Sequence, residues 1–244
     1  MSIDGVIFDL GSTLIHRTGL QIEREKCSVL ANFAAAELGC RDPITLASQL
    51  LEIRLDAWRQ AEADLVERLA TESIAQAFAL TGLPADEATL RRAEAVFFKP
   101  EVQISRLYPA ALETLEELRA MGLRIGMISN ATSHGLIVEI TARHRIDAYF
   151  NPLVSSAGHG RVKPHPAIFT HVLNAWGVPV SRAVMVGDTL AADIAGAHAV
   201  GMRSILVDIE PNPANAAFAG AAPTARVEAL QEIPLLIRRW ADGG

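Results

Sequence analysis

The chain has 244 residues, of which half are hydrophobic and a fifth are charged, and its net charge is -6. This composition is typical of a globular protein and excludes long disordered or fibrous stretches, while the length allows two domains of unequal size. The negative charge offers no basic surface for a polyphosphate backbone, and no stretch approaches the roughly 18 apolar residues of a membrane span, so neither nucleic acid nor membrane is an expected partner.

The N-terminal residues carry no basic region and no small-residue cleavage site, and Asp4 interrupts their apolar run. We therefore expect a cytoplasmic protein. Cys27 and Cys40 lie in Ala-rich sequence without a histidine pattern, which indicates reduced packing residues rather than a disulfide framework or a zinc site. The sequence carries no indication of the oligomeric state.

The first predicted element is a strand over residues 3–8, a short apolar run bounded by acids and typical of a central parallel strand. Residues 20–98 instead show helical spacing, with breaks at 39–43 and 81–86. An all-helical block after the first strand predicts a smaller second domain. We place the α/β domain at 1–16 and 105–244, the helical domain at 17–104, and the hinges between them at 16–19 and 99–107. The arginines of the helical domain are expected on its solvated face, with the alternative that one of them reaches over the site to select substrate: Arg54, Arg59 and Arg68.

The rest of the chain alternates strand-like and helical segments. Further strands are predicted at 123–128, 153–155, 183–186 and 203–207. Helices are predicted at 109–121, 133–144, 166–176, 190–199 and about 225–240. The first of these helices places Leu112, Leu115 and Leu118 on one stripe, and Gly122, Gly177 and Gly201 mark helix ends. Strands that alternate with single helices predict an α/β fold with a doubly wound parallel sheet.

Polar residues follow three of the predicted strands, and ligands of a doubly wound sheet gather at that edge. These residues are Asp9, then Ser129 with Asn130, then Asp188, while Lys163 lies in a loop before a helix. Two ionised aspartates would repel each other, and a divalent cation such as Mg²⁺ removes that conflict. Lys163 and Ser129 would then bind the anionic oxygens of a phosphate. Asp9 would attack phosphorus and form an aspartyl-phosphate that water hydrolyses.

Four segments of the chain match known motifs in order and in structural context. The first is Asp-x-x-x-Thr after the first strand, at 9–13, and the second is a strand ending in Ser-Asn, at 129–130. The third is Lys-Pro-His-Pro before a helix, at 163–166. The fourth, within 186–202, is Gly-Asp followed by a second Asp and then by Gly-Ala and Gly-Met. In these segments the chain resembles the haloacid dehalogenase (HAD) superfamily of hydrolases, in the group whose helical cap follows the first strand. The motifs span the α/β part, whereas the helical part matches only in its helices and its position.

The resemblance implies a Rossmann-like core and a phosphatase that acts on a small phosphorylated metabolite with Mg²⁺. It implies that Asp9 is the nucleophile, and that Asp9, Asp188 and the Gly11 carbonyl bind the metal. Ser129, Asn130 and Lys163 would bind the phosphoryl group, with Ser129 and Lys163 also counted as catalytic. Asp193 would support the metal or the lysine. Ser129 and Asn130 also suit an ordinary turn, and Asp193 suits the first turn of a helix.

Gly11 is the main departure from the motif, because the phosphatases of this superfamily carry a second aspartate there as the general acid. General acid–base catalysis contributes about 10²–10⁴-fold, so turnover of ordinary alkyl phosphates should suffer. Water, a good leaving group or a nearby histidine, His16 or His165, would have to replace the proton donor. The His165 ring also suits a helix cap before Pro166.

Two other functions stay open on the sequence alone. One is a phosphate- and metal-binding module that has lost turnover through Gly11. The other is a 2-haloacid dehalogenase, since halide departure needs no proton donor. Dehalogenases of the superfamily tend to carry Tyr at the position of Gly11 and to lack the metal-binding aspartate, whereas Asp188 is present here.

Overall fold

The computed structural model describes residues 3–16 and 18–241. The chain divides into two compact units, one formed by Met1–Arg17 with Arg106–Gly244 and the other by Thr18–Ser105. Among the described residues, no helix combines the length and the apolar character that crossing a membrane requires.

The Thr18–Ser105 unit consists of four helices: α1 (Leu20–Glu37), α2 (Pro43–Asp64), α3 (Ala70–Leu80) and α4 (Glu87–Ile104). The predicted breaks at 39–43 and 81–86 fall between helices, except that Pro43 is already the first residue of α2, and the turn at 65–69 is an additional break that the sequence analysis missed. The prediction of a hinge over 99–107 was wrong in its first part, because α4 continues through the buried Pro100 to Ile104. Cys27 and Cys40 are free thiols.

Buried charges join three helices of this unit. The Lys26 ammonium on α1 lies 2.6 Å from a Glu23 oxygen and 2.8 Å from a Glu101 oxygen on α4. The Arg54 Nε on α2 donates to the other Glu23 oxygen at 2.8 Å, and its guanidinium lies over the ring of Phe97. Arg54 is 1% exposed, so its expected place on the solvated face was wrong. Helical spacing alone does not distinguish an exposed arginine from one that a buried carboxylate compensates.

Glu23→Gln should therefore destabilise the protein by about 3 kcal/mol at pH 7, because it leaves two buried cations without their shared carboxylate. Burial acts to raise the pKa of Glu23, but Lys26 and Arg54 prevail and lower it from 4.5. The stabilisation from this carboxylate is thus complete above pH 4.5 and is lost as the pH falls through the lowered pKa. Urea unfolding at several pH values measures both effects.

The matched control is Glu87→Gln on α4, where an exposed carboxylate pairs with Arg91. It should change the free energy of unfolding by less than about 1 kcal/mol. Equal effects of the two variants at pH 7 would contradict the assignment of a stabilising role to Glu23.

The larger unit is built on a six-stranded sheet in which every pairing is parallel. Its strands are β1 (Gly5–Phe8), β2 (Arg124–Ser129), β3 (Leu153–Ser155), β4 (Ala183–Gly187), β5 (Arg203–Val207) and β6 (Ala225–Val227). They lie in the order β3-β2-β1-β4-β5-β6, so β1 is central and pairs with β2 and β4. The predicted doubly wound α/β fold is confirmed. All four β1 residues are buried, which explains their apolar character.

In the described part of this unit, six α-helices connect and cover the strands: α5 (Ala111–Ala120), α6 (His134–Arg143), α7 (Ser156–His159), α8 (Pro166–Trp176), α9 (Ala195–Val200) and α10 (Glu232–Ala241). The prediction of a helix over about 225–240 was wrong in its first part, where β6 lies, and confirmed from residue 232 onward by α10. The stripe predicted for α5 was also wrong in part. Leu115 and Leu118 are buried with Ala111 and Thr114, while Leu112 is exposed.

A tryptophan at the end of α8 packs against the centre of the sheet. A Cβ on Gly5 of β1 would lie 2.6 Å from the Trp176 ring, and a Cβ on Gly126 of β2 would lie 2.7 Å from it. Its indole N–H donates to the carbonyl of Asn151. The two glycines thus admit a ring that a larger residue would exclude.

Candidate active site

The ends of β1, β2 and β4 bring the predicted polar residues to one edge of the sheet. Asp9 follows β1, Ser129 ends β2 and Asp188 follows β4, while Lys163 comes from the loop before α8. Asp9, Ser129, Lys163 and Asp188 are each 4–7% exposed. Parallel strands explain the arrangement, because their carboxyl ends share one edge.

Lys163 is the centre of the site. Its Nζ lies 2.6 Å from Asp9 Oδ1 and 2.7 Å from Asp193 Oδ1, and it donates to the carbonyl of Ile128 at 2.8 Å. Burial acts to lower the pKa of this ammonium, but the two carboxylates prevail and raise it above its usual value. The contacts therefore favour the charged form of Lys163 and hold its ammonium in one position.

Asp9 has an environment that opposes its ionisation. Burial raises its pKa, the Lys163 cation lowers it, and the Asp193 and Asp188 charges raise it again, to about 7. Its second oxygen accepts a hydrogen bond from Thr13 at 3.2 Å, which explains the threonine of the first motif. An additional cation near these carboxylates would favour the charged form of Asp9.

Three carboxylates of the site are arranged as metal ligands could be. One oxygen from each of Asp9, Asp188 and Asp193 lies within 4.8 Å of the others, and all three residues are buried. Hard carboxylate oxygens suit a hard divalent cation. The Lys163 ammonium contacts two of the three carboxylates but carries only one positive charge, so the ionised group keeps a net negative charge and the donor set fits a cation.

Asp193 belongs to a single π-helical turn, Leu190–Ile194, that leads into α9. Its Oδ2 accepts the N–H of Thr189 at 3.0 Å, while Oδ1 faces Lys163. A Cβ on Gly187 would lie 2.3 Å from the Asp193 Cγ. The glycine before Asp188 is thus required because the Asp193 carboxylate occupies the space of a side chain.

We expect Gly187→Ala to displace the Asp193 carboxylate from Lys163, because the methyl group cannot coexist with it at that distance. Overpacking of this kind costs about 1–3 kcal/mol, measurable by urea unfolding. As a control, Gly135→Ala has 3.6 Å of clearance at its nearest contact and should have little effect of this steric kind. Wild-type stability of Gly187→Ala would contradict the tight packing.

Asn130 contacts the main chain of Lys163 with both ends of its amide. Its Oδ1 accepts the Lys163 N–H at 2.8 Å, and its Nδ2 donates to the Lys163 carbonyl at 3.1 Å. Asn130 thus holds the loop that carries the lysine, and its predicted contact with substrate stays a prediction. Ser129 ends β2 and is 5% exposed.

Gly11 lies in the exposed turn after Asp9. A Cβ built on it meets no heavy atom within 4 Å, so the backbone leaves room for a side chain there. The next residue, Ser12, has a left-handed backbone with φ of 59°. The backbone at position 11 could therefore carry an acidic side chain, and no steric clash accounts for the glycine there.

The two histidines weighed as proton donors have other partners. The Nδ1 of His16 lies 2.9 Å from Glu210, and its ring centroid is 4.1 Å from that of Tyr108. His165 caps α8, where its Nδ1 accepts the N–H of Ala167 at 3.1 Å. The cap reading of His165 is thereby confirmed.

Two residues that contact the site were missed by sequence reasoning. Asn212 and Asn215 lie between β5 and β6, and both donate hydrogen bonds to Asp188. The only available signal was that polar residues follow the end of β5, and nothing distinguished these asparagines from turn residues.

Comparison with known proteins agrees with this architecture. A family model described as haloacid dehalogenase-like hydrolase matches residues 3–201. The chain therefore belongs to the haloacid dehalogenase-like hydrolase family, which confirms the resemblance noted from its motifs.

Individual relatives carry different names. The chain is 40% identical over 102 residues to a ribulose-1,5-bisphosphate 5-phosphatase of Halopiger xanaduensis, and this match covers 42% of each chain. A longer match, 24% identical over 209 residues, covers 84% of this chain and 85% of a glyceraldehyde 3-phosphate phosphatase of Methanocaldococcus jannaschii. Among solved structures, a 2-haloacid dehalogenase from Pseudomonas syringae pv. tomato is 27% identical with a TM-score of 0.74, over 98% of this chain and 100% of the other.

Proposed function

We propose that this protein is a Mg²⁺-dependent phosphomonoesterase that acts on a small phosphorylated metabolite. The observation that carries the proposal is the buried group of Asp9, Lys163, Asp188 and Asp193, in which one ammonium and three clustered carboxylates share one edge of the sheet. Such a site suits a substrate that brings negative charge together with a divalent cation.

Asp9 is the proposed nucleophile. An oxygen of its carboxylate attacks phosphorus, so that an O–P bond forms and the bond from phosphorus to the leaving alcohol breaks. Water then hydrolyses the aspartyl-phosphate, releases phosphate and restores the carboxylate. Mg²⁺ bound by Asp9, Asp188, Asp193 and the Gly11 carbonyl would neutralise charge on the carboxylates and the phosphoryl oxygens.

Lys163 and Ser129 are proposed to bind the anionic phosphoryl oxygens. Lys163 suits this role because its carboxylate neighbours keep it charged, against the effect of burial, and hold it in place. Asn130 would contribute by holding the lysine loop. Gly11 has no side chain that could donate a proton to the leaving alcohol. Either water donates this proton, or the substrate has a leaving group acidic enough to depart without one.

Similarity to named relatives supports the substrate class. The two relatives described above are named as phosphatases of ribulose-1,5-bisphosphate and of glyceraldehyde 3-phosphate, both small phosphorylated compounds. We infer a substrate of that class for this chain. The cytoplasmic location stays a prediction from the sequence.

A second candidate function is dehalogenation of a 2-haloacid, which the likeness to the Pseudomonas syringae structure favours. In this reaction Asp9 would displace halide from carbon and form an ester that water hydrolyses. The three clustered carboxylates favour the phosphatase instead. They suit a divalent cation, and the displacement of halide does not require one.

A panel of phosphorylated metabolites, assayed with Mg²⁺ and with a chelator in its place, tests the proposal. We expect release of phosphate from at least one compound with Mg²⁺ and its loss when the metal is chelated. Halide release from a 2-haloacid without added metal, together with no phosphate release, would establish the dehalogenase instead.

A further inference from the structure

The segment between β5 and β6 contains two asparagines whose side chains reach back to the start of the π-helical turn after β4. Asn212 and Asn215 both contact Asp188, which the proposed function makes a metal ligand. Neither residue belongs to the motifs that identified the site.

Asn212 holds the carboxylate of Asp188. Its Nδ2 lies 2.7 Å from Asp188 Oδ2 and 3.1 Å from Thr189 Oγ1, and the Thr189 hydroxyl in turn lies 3.2 Å from Asp188 Oδ1. Its Oδ1 accepts the N–H of Ala214 at 3.0 Å. Because the Oδ1 end is engaged with a donor, the amide presents its N–H groups to the carboxylate.

Asn215 holds the main chain on both sides of Thr189. Its Nδ2 donates to the carbonyl of Asp188 at 2.8 Å, and its Oδ1 accepts the N–H of Leu190 at 2.8 Å. One amide thus bridges the two peptide groups that flank Thr189. This contact limits rotation of the backbone that carries the Asp188 side chain.

We propose that Asn212 and Asn215 are positioning residues that orient Asp188 for a divalent cation, an inference that rests on the metal dependence in the proposed function. Asn212 orients the carboxylate and Asn215 orients its backbone, so the two amides act on different parts of one ligand. Partners of metal ligands contribute in this way in other sites, where their loss weakens metal binding about 10–100-fold.

A purely local role is the alternative, since Asn212 is also the cap of the short helical turn Pro213–Asn215. The two roles can be separated by Asn212→Ser. Serine is a good cap residue and keeps an acceptor for the Ala214 N–H, but its hydroxyl is too short to reach Asp188. A cavity of about 280 Å³ already adjoins Asn212 and Asn215, so water can fill the vacated space without collapse of the loop.

The experiment is a titration of the metal-free protein with Mn²⁺, in which free Mn²⁺ is followed by electron paramagnetic resonance. Wild type is compared with Asn212→Ser, Asn215→Ala and Asp188→Asn, and with Asn174→Ser, an exposed asparagine on α8, as the matched control. Circular dichroism and the melting temperature without metal report on folding of each variant.

We expect the Kd for Mn²⁺ to rise at least about tenfold in Asn212→Ser and in Asn215→Ala, with the metal-free melting temperature of Asn212→Ser close to that of wild type. Asn174→Ser should bind as wild type does. Wild-type affinity in both loop variants, when Asp188→Asn has lost binding, would overturn the positioning role and leave the metal site intact. If wild type itself bound no Mn²⁺, the metal dependence in the proposed function would fail, and this inference with it.

Discussion

Asp9→Asn is expected to reduce phosphate release at least about 10³-fold, because the amide cannot act as the nucleophile that forms the aspartyl-phosphate. The change keeps the size of the side chain. The one amide oxygen can still accept from Lys163, the Nδ2 then faces the Thr13 hydroxyl oxygen, and Lys163 keeps its pair with Asp193, so the fold should survive. Steady-state phosphate release measures the loss, and acid quenching of wild type during turnover should trap an acyl-phosphate that the variant lacks.

The matched control is Asp147→Asn, an exposed aspartate of the same α/β unit, which should keep wild-type turnover. Activity of Asp9→Asn within tenfold of wild type, in protein whose circular dichroism is unchanged, would reject Asp9 as the nucleophile. The carboxylate cluster and Lys163 would then have to serve a reaction in which Asp9 is not the nucleophile.

Gly11→Asp is expected to raise kcat for alkyl phosphates by about 10²–10⁴-fold, the usual contribution of a general acid. The position is exposed and a Cβ there meets nothing within 4 Å, so the new side chain needs no rearrangement of the turn. The gain should be largest for poor leaving groups such as simple alcohols, and small for nitrophenol, which needs little protonation. A comparison of kcat for these two substrate types measures it.

Gly11→Asn separates the acid from the mere presence of a side chain, because an amide has the same shape and no comparable proton to donate. We expect it to remain near wild type. If neither wild type nor Gly11→Asp releases phosphate from any compound in the panel, the non-catalytic binding module becomes the better interpretation. If the protein releases halide from a 2-haloacid in that case, the dehalogenase becomes the better interpretation.

Much of the α/β unit could be predicted from the sequence because its strands are buried on both faces. A residue such as Val6 or Ile7 has no solvent-facing neighbour in the strand, so short apolar runs mark the strands directly. The polar residues that end these runs then locate the site edge, as Asp9 and Asp188 did. The chemical roles of these residues stay predictions, which the variants described above test.

Features that depend on distant partners could not be predicted in this way. The burial of Arg54 depends on Glu23, which lies on another helix. The contacts of Asn212 with Asp188 depend on a turn whose sequence resembles many turns. In both cases a polar residue has a function only through the side chain opposite it, and local periodicity carries no information about that side chain.

The central position of β1 has a consequence for folding during synthesis. The neighbours of Phe8 in the sheet, Met127 and Val186, are made more than 110 and more than 170 residues after it. At translation rates of about 5–20 residues per second, β1 waits roughly 10–40 s for its second neighbour. For all of that interval the edge of β1 that pairs with β4 is unpaired, so the nascent chain exposes an apolar strand edge that is open to pairing with other chains.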